Sequence, residues 1–466
     1  MKACCAPGAL SQRSRKKDFS MNTSRYFPVL AESGFIRYFN FAALYFAEDL
    51  NMGMLFVGLP AWMAMNGKTP GEIGAFATAC AFPWTFKFIV APLMDRYTYL
   101  PMGRKRPWVL FGQIGLVASL VAMAAVRDPL NNLPLFMGAA FLVSAFGAIQ
   151  DAATDGMAVD TIPDAEQARA NGLMGGARMI GSSIALALGS WILNTYNFSA
   201  AMLAVAGMVG LMTLVPICLR EQPGEKIAPW TPGNTSPEAE KMQIGQWSII
   251  LKSLYGLFSL RNSLIISLLL FLTQGSYNYF ETLLPLFAVK VSGWTNVSYS
   301  QAFATADLIG GIGGMLIGGY LIEKFGKKRM IGIYFSLIIL LVVALITLKM
   351  YWNSTAFIYG FIIVYRWLNA FAKIGVYAIA MQCCSKKVSA SQFTFYMTIG
   401  AFGSMVGATL IGPIKDNYSW EITFFSFVAM IVLAWLTLHF LNIDKQIAQI
   451  AELEKEEVES EVLIIQ

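Results

Sequence analysis

The sequence predicts an all-α membrane protein with twelve transmembrane helices, arranged as two six-helix repeats. The 466 residues are 56% hydrophobic and only 13% charged, about half the charge of an ordinary soluble protein. Apolar runs such as "IGIYFSLIILLVVALITL" are long enough to cross a bilayer core of about 30 Å. The runs lack the two-residue alternation of a membrane β-barrel. Each span is therefore expected to be a helix, which satisfies its own backbone hydrogen bonds.

Each predicted span is one apolar run, and a linker rich in Pro, Gly, Glu and Lys separates the first six from the last six. The spans are 35–64, 70–94, 107–126, 133–161, 168–193, 198–219, 262–290, 299–323, 329–349, 355–383, 390–413 and 421–442. They divide the chain into an N-terminal tail (1–30), an N-terminal bundle (31–219), the linker (220–258), a C-terminal bundle (259–442) and an acidic tail (443–466). We expect the acidic tail to be a solvated helix without a role in transport, because Glu454 and Glu457 interrupt its apolar stripe.

Lysine and arginine in the short connections predict the orientation. Connections after even-numbered spans hold eleven, namely Arg96, Arg104, Lys105, Arg106, Arg169, Lys324, Lys327, Lys328, Arg329, Lys386 and Lys387. Connections after odd-numbered spans hold five, namely Lys68, Arg127, Lys290, Lys349 and Lys415. The bias places the even connections, the linker and both termini in the cytosol. It also accounts for much of the net charge of +6, so that charge does not indicate a nucleic-acid partner.

The two halves share a register of short patterns. Spans 2 and 8 both begin with "AFATA", at 75–79 and 302–306, and both end in an acid followed by a base. "GRKR" (103–106) and "GKKR" (326–329) come next. Spans 5 and 11 match at an offset near 222 residues. Two such repeats are the plan of secondary transporters, in which a binding site lies near the middle of the bilayer.

These patterns resemble the major facilitator superfamily, whose loop signature is G-x-L-x-D-R-x-G-R-R. Residues 319–328, "GYLIEKFGKK", fit it with Glu in place of Asp, and "APLMDRYTYLPMGRKR" fits it with extra residues. The longer loop, the stretch "QDAATDGMAVDTIPDAEQARANG" (150–172) and Arg178 resemble the AmpG-type muropeptide permeases of the peptide/acetyl-coenzyme A transporter group. The resemblance implies a central cavity lined by spans 1, 4, 7 and 10.

Charged residues inside the spans are the candidate substrate or proton site, because a charge in the bilayer costs on the order of 3 kcal/mol. Asp151 and Asp155 share one face of span 4, and Arg366 and Lys373 share one face of span 10. The repeat offset predicts that Asp151 faces Lys373 across the cavity. The pair then either holds the halves together as a structural ion pair or takes part in transport.

Further candidates lie on neighbouring spans. On span 1 we favour Glu48 over the adjacent Asp49 as the residue that faces the cavity. Lys87 and Arg178 either neutralise the acids of span 4 or hold an anionic substrate. Asp307 on span 8 either belongs to this site or has a purely structural role. Glu281 is expected to be solvated near the outer end of span 7.

The loop charges are predicted to form a cytosolic gate in addition to fixing the topology. The alternative is that they fix the topology alone. The gate residues, including two loop glycines, are Asp95, Arg96, Gly103, Arg104, Asp160, Glu323, Lys324, Gly326 and Lys327. The superfamily pattern implies that Asp95 packs against the N-terminal end of span 11, and we expect Arg104 to reach Asp160. Glu323 and Lys327 should repeat this against span 5. Gln382 replaces Asp160 at the repeat offset, so this second set should be weaker.

The favoured function is a proton-coupled secondary active transporter of the cell inner membrane. It would move a small polar or anionic solute such as a muropeptide, and the alternative is an exporter of drugs or metabolites. A single histidine (His439) and the lack of a nucleophile motif disfavour an enzyme, and the six cysteines have no metal-binding or disulfide spacing. We therefore expect no cofactor and no metal. The expected partners are the solute, protons and the bilayer, with the chain as a monomer.

Overall fold

The computed structural model describes residues 28–244, 246–294 and 296–465. Within them the regular structure is helical, apart from an isolated bridge between Val29 and Arg220. In these described ranges, eleven helices are long and apolar enough to cross a membrane. A twelfth span arises when Trp247–Ser259 and Arg261–Lys290, bent by 77° at their junction, are taken together. The predicted all-α membrane fold is confirmed.

The helices follow the predicted spans closely. The first six are α1 (Gly34–Met65), α2 (Pro70–Arg96), α3 (Arg106–Ala124), α4 (Leu133–Thr161), α5 (Gln167–Thr195) and α6 (Phe198–Ile217). The last six are α7 (Arg261–Lys290), α8 (Asn296–Gly313, Gly314–Gly318 and Gly319–Phe325), α9 (Lys327–Thr347), α10 (Thr355–Gln382), α11 (Ser389–Asn417) and α12 (Trp420–Phe440). Trp247–Ser259 is called the linker helix here, and α13 is Ile443–Ile465.

Local sequence explains several helix boundaries. α2 begins with Pro70 after a capping box, in which the side chains of Thr69 and Glu72 satisfy each other's backbone N–H groups. Asn197 caps α6 by a simpler contact, in which its side-chain oxygen accepts a hydrogen bond from the backbone N–H of Ala200. α8 and α9 are separated by a single residue, Gly326, at φ 92°, a conformation that side chains disfavour.

The two halves touch at the end of the bundle that carries the α2–α3, α4–α5, α8–α9 and α10–α11 connections, which we call the basic end. There α5 and α8 meet backbone to backbone. A Cβ on Gly172 would lie 2.7 Å from the carbonyl oxygen of Gly314, and one on Gly176 would lie 2.7 Å from that of Gly311. Small residues let helices approach this closely. The glycine-lined faces therefore form part of the contact between the halves.

The acidic tail is docked, so the prediction of a solvated helix is wrong for residues 443–455. Gln446 is buried and donates a hydrogen bond of 2.8 Å to the hydroxyl of Ser263. Ile450 is buried against the linker helix, in a cluster that includes Leu254 and Leu257. The linker helix and α13 each carry an apolar stripe, and the two stripes pack against each other. Glu454, expected to interrupt the packing, accepts a hydrogen bond of 2.5 Å from Ser385.

The predicted N-terminal tail lies outside the described residues as far as position 27. Its last residues are not free. Val29 and Leu30 are buried, and the backbone N–H of Leu30 donates to the carbonyl of Arg220 at 2.8 Å. The segment just before α1 is thereby fixed to the segment just after α6.

Candidate transport site and gate

Two clusters of charged side chains lie inside the bundle, one in each half. In the N-terminal half, Arg178 on α5 contacts carboxylates from two helices. Its guanidinium lies 2.8 Å from Glu48 and 3.6 Å from Asp49 on α1, and 2.8 Å from Asp151 on α4. Both Glu48 and Asp49 therefore share this cation, where we had expected only Glu48 to face inward.

The same cluster extends to α2. Lys87 donates a hydrogen bond of 2.5 Å to Asp151, so Asp151 pairs with two cations. Asp155, one turn further along α4, accepts a hydrogen bond from the hydroxyl of Tyr45. Among the described residues, no cation lies within 4.0 Å of its carboxylate. The N-terminal cluster thus combines four carboxylates with two cations around a cavity of about 360 Å³.

In the C-terminal half, Arg366 on α10 is the centre of the second cluster. It forms ion pairs with Glu281 on α7 and Asp307 on α8, and it donates a hydrogen bond of 3.0 Å to the hydroxyl of Tyr277. Its guanidinium lies over the ring of Phe303, 4.0 Å from the centroid. Glu281 is therefore paired and only 14% exposed, and the expectation of a solvated residue is wrong.

Lys373 has a different environment. Its ammonium lies 3.0 Å from the centroid of the Tyr277 ring, the geometry of a cation–π contact. In the part of the chain that the structure describes, no carboxylate lies within 4.0 Å of it. The predicted pairing of Asp151 with Lys373 is wrong in this conformation. Lys87 and Arg178 reach Asp151 from within its own half, which leaves Lys373 without a carboxylate partner among the described residues.

A cavity of about 810 Å³ separates the two clusters and is lined by both halves. Arg366, Lys373 and Tyr277 form one wall, and Asp49 and Arg178 form part of the other. The lining also reaches residues on the side away from the basic end, including Val57, Leu186 and Tyr299. Arg178 is 39% exposed and borders this cavity as well as the smaller one.

At the basic end, Asp95 connects the two halves. It is fully buried, and one carboxylate oxygen accepts hydrogen bonds from the backbone N–H of Ser391 at 2.8 Å and from its hydroxyl at 2.6 Å. Ser391 lies in the first turn of α11, where free N–H groups favour an anion. The other oxygen forms an ion pair with Lys105 and lies 3.5 Å from Arg104. The contact implied by the resemblance is present.

Arg104 crosses the same boundary. Its guanidinium lies 3.1 Å from Asp160 at the end of α4, and it also donates to the carbonyls of Lys386 and Lys387 in the α10–α11 connection. One cation from the N-terminal half therefore binds an acid of its own half and the backbone of the other half.

The second half repeats the arrangement with weaker groups. Glu323 at the end of α8 accepts hydrogen bonds from the backbone N–H of Arg169 at 2.8 Å and from its side chain at 2.7 Å. Lys327 donates to the side chain of Gln382 at 2.7 Å, where its counterpart Arg104 meets an acid. The side chain of Arg169 is 46% exposed, against 2% for Arg104. Exposed ion pairs contribute about 0–1 kcal/mol, so this second contact should be the weaker one.

Comparison with known proteins identifies the family to which this two-bundle arrangement of helices belongs. The family model of the Major Facilitator Superfamily matches residues 41–408. The chain belongs to the major facilitator superfamily.

Relatives within the superfamily include permeases. The anhydromuropeptide permease of Escherichia coli strain K12 is 24% identical over 390 residues, which cover 82% of this chain and 74% of that protein. The putative transporter AmpG 1 of Rickettsia bellii is 20% identical over 396 residues, covering 83% of this chain and 93% of that one. FucP, the fucose:proton symporter of E. coli, has a solved structure in the outward conformation. Its sequence is 12% identical, and the two structures superpose with a TM-score of 0.66 over 87% of this chain and 98% of the FucP chain.

Three residues of the superfamily signature that were predicted to belong to the gate lie outside the contact between the halves. Arg96 stacks on Tyr97 and on Trp247 of the linker helix, with its guanidinium 4.9 and 5.0 Å from the ring centroids. Lys324 lies over the ring of Tyr320 at 5.7 Å. A Cβ on Gly326 would meet no atom within 4 Å. Arg96 and Lys324 point away from the opposite half because each follows its acid by one residue on the helix, about 100° round.

Glu221 holds the signature loop in place and was not predicted. Its buried carboxylate accepts hydrogen bonds from three consecutive backbone N–H groups, those of Arg104 and Lys105 at 2.8 Å and that of Arg106. Gly103 has φ 101°, and a Cβ there would lie 2.8 Å from the Glu221 carboxyl carbon. The glycine is therefore needed for its conformation and for the approach of Glu221. Nothing in the sequence distinguishes Glu221 from the other glutamates of the linker.

Burial changes the proton affinity of these loop groups. It raises the pKa of Glu221 above its ordinary value, although the backbone hydrogen bonds act in the opposite direction. Burial and the neighbouring charge of Arg104 lower the pKa of Lys105, against the attraction of Asp95. In both groups the loss of hydration therefore outweighs the attraction of the partners, and the charged form is less favoured than in water.

Proposed function

We propose that the chain is a proton-coupled secondary active transporter of the cell inner membrane that carries an anionic sugar–peptide solute of the muropeptide class into the cytosol. The similarity to the anhydromuropeptide permease supports the substrate class. The excess of Lys and Arg in the even connections supports a cytosolic basic end. With that orientation, the contacts at the basic end close the cytosolic side, and the larger cavity faces outward.

Lys373 is the observation that carries this proposal. It borders the 810 Å³ cavity with an ammonium that has no carboxylate partner among the described residues. An unpaired cation inside the membrane is costly, so a group in the transported solute is its natural partner. A substrate carboxylate placed there would displace the weaker cation–π contact with Tyr277. Tyr277 and Phe303 supply flat apolar surface beside it, as small-molecule sites commonly do.

Asp155 is our candidate for the proton-carrying group. The N-terminal cluster has two more carboxylates than cations, and among the described residues Asp155 has only the hydroxyl of Tyr45 as its hydrogen-bond partner. An unpaired carboxylate inside the membrane favours its neutral form. Intramembrane acids of this kind commonly serve as proton relays. Protons would then be carried in the N-terminal half and the substrate anion in the C-terminal half.

Alternating access would follow from the basic-end contacts. The hydrogen bonds from Ser391 to Asp95, and those from Arg104 to the α10–α11 carbonyls, join the halves directly. They can exist only while the basic end is closed. Opening this end toward the cytosol requires that they break, so they act as the cytosolic gate.

The test is the uptake of a radiolabelled anhydromuropeptide into membrane vesicles with an imposed proton gradient. Lys373→Met should raise the KM at least tenfold. Lys349→Met, at an exposed lysine outside the cavity, should behave like the native protein. Asp155→Asn should lose gradient-driven accumulation but keep exchange of labelled for unlabelled substrate. An unchanged KM for Lys373→Met in a correctly inserted protein would refute the assigned substrate site.

A further inference from the structure

A groove of about 570 Å³ lies between α9 and α12 at the basic end. Its wall on α9 includes Arg329, Gly332 and Leu337, and its wall on α12 includes Trp435 and His439. Both helices are candidate spans, and the groove is formed by the first half of α9 and by the last two turns of α12. It lies apart from both transport cavities, which have none of these residues in their lining.

The groove is charged at one end and mainly apolar along the rest. Arg329 is in the first turn of α9, and Leu337 is eight residues further into the span, about 12 Å at 1.5 Å per residue. One leaflet of the hydrocarbon core is about 15 Å deep. The groove therefore runs from the level of the lipid headgroups through most of one leaflet.

The two cations at the charged end of the groove, Lys328 and Arg329, are not equally available to bind an anion. Lys328 donates to the carbonyls of His439 at 3.0 Å and Leu441 at 2.8 Å, and so caps the end of α12. Arg329 is exposed, and within the described part of the chain no carboxylate lies within 4.0 Å of it. The ring of His439 packs against the ring of Trp435 at a tilt of 50°, with centroids 4.4 Å apart, which places an imidazole at the same end of the groove.

We propose that this groove is a binding site for an anionic phospholipid. The phosphate would lie between Arg329 and His439, and one acyl chain would follow Gly332 and Leu337 between α9 and α12. A guanidinium is suited to bidentate binding of a phosphate, and basic pockets between transmembrane helices are a recurring form of lipid headgroup site. The bilayer supplies this ligand at the required depth, whereas a soluble anion would leave the apolar part of the groove unfilled.

Three variants separate the parts of the site. Arg329→Gln removes the headgroup cation. Gly332→Leu fills the groove, and it should fold because a Cβ there would meet nothing closer than Trp435 Nε1 at 3.8 Å. Lys324→Gln is the matched control, since Lys324 is an exposed cation at the same end that lies outside the groove.

The experiment measures the shift in thermal unfolding temperature of the purified full chain in detergent when phosphatidylglycerol or phosphatidylcholine is added. Native mass spectrometry counts the lipids that stay bound. The native protein and Lys324→Gln should show a larger shift with phosphatidylglycerol. Arg329→Gln should lose at least half of that preference, and Gly332→Leu should bind one fewer lipid. Equal losses in Arg329→Gln and Lys324→Gln, or no preference in the native protein, would overturn the proposal.

Discussion

Replacement of Asp95 by asparagine should shift the protein toward the state that is open at the basic end. Asparagine keeps the shape of the side chain but removes the charge that binds Ser391 of the other half and Lys105 of its own. In the closed state Lys105 is fully buried and would lose its partner. In the open state water reaches both groups, so the loss falls on the closed state.

The size of the effect follows from the two hydrogen bonds to Ser391 and from the stranded lysine. A hydrogen bond to a charged group contributes about 1.5–3 kcal/mol, against about 0.5–1.5 for a neutral one. The change at Ser391 is therefore about 2–3 kcal/mol. A buried cation without its partner adds up to about 3–5 kcal/mol, less whatever Lys105 regains by moving. We expect a total between about 2 kcal/mol, if Lys105 regains everything by moving, and about 8 kcal/mol, if it regains nothing. Either limit is at least a tenfold change in the ratio of closed to open molecules.

Spin-label distances across the basic end measure this ratio. Labels at Ala165 and Lys324, exposed positions in opposite halves, should give a longer distance in the Asp95→Asn variant. Arg96→Gln is the matched control, because it removes the neighbouring charge, which stacks on the linker helix and forms no ion pair with the other half among the described residues. An unchanged distance distribution in a normally inserted Asp95→Asn protein would refute the gate and leave the loop charges as determinants of topology alone.

Three further predictions concern the loop, the linker and the tail. Gly103→Ala should destabilise the protein by more than the roughly 1–2 kcal/mol that a side chain costs in a left-handed conformation, because the new Cβ also meets Glu221. Gly326→Ala, where a Cβ meets nothing, should cost only that conformational energy. Equal unfolding temperatures for the two variants would contradict this. Burial, with the charge of Glu221 second, raises the pKa of Glu225 from 4.5 to about 8, so stability held at low pH is lost as pH rises toward 8. Glu225→Gln should flatten that dependence in thermal unfolding, and a retained slope would exclude Glu225 as its source. Truncation after Asn442 should lower the unfolding temperature and lengthen the basic-end distance, since α13 packs on the linker helix; a truncated protein identical to the full chain would show that this packing has no role.

The fold could be predicted from the sequence because the bilayer constrains it strongly. Span 4 was expected at 133–161, which is where α4 lies. The linker helix was missed because its 13 residues are too few for a span. They directly follow the polar linker, so they were assigned to it. The docked tail was missed for a related reason. Its apolar stripe finds a partner in the linker helix, and sequence periodicity does not show which two stripes meet.

The candidate site was predictable in its members but not in its pairings. The cost of charge in the membrane singles out Asp151, Arg178, Arg366 and Lys373 from the sequence alone. The repeat offset fixes their depth, but it does not say whether a closer partner exists within the same half. The pairing of Asp151 with Lys87 and Arg178, in place of Lys373, depends on how α2, α4 and α5 rotate against one another.

Proton coupling is tested most directly by following the pH inside proteoliposomes when substrate is added outside. With the protein reconstituted and no imposed gradient, a pH-sensitive dye in the lumen should report acidification on addition of an anhydromuropeptide. The signal should be absent in Asp155→Asn, although that variant still exchanges labelled substrate. Substrate entry without any luminal pH change in the native protein would contradict proton coupling. A native-like signal from Asp155→Asn would contradict the assignment of the proton to that carboxylate.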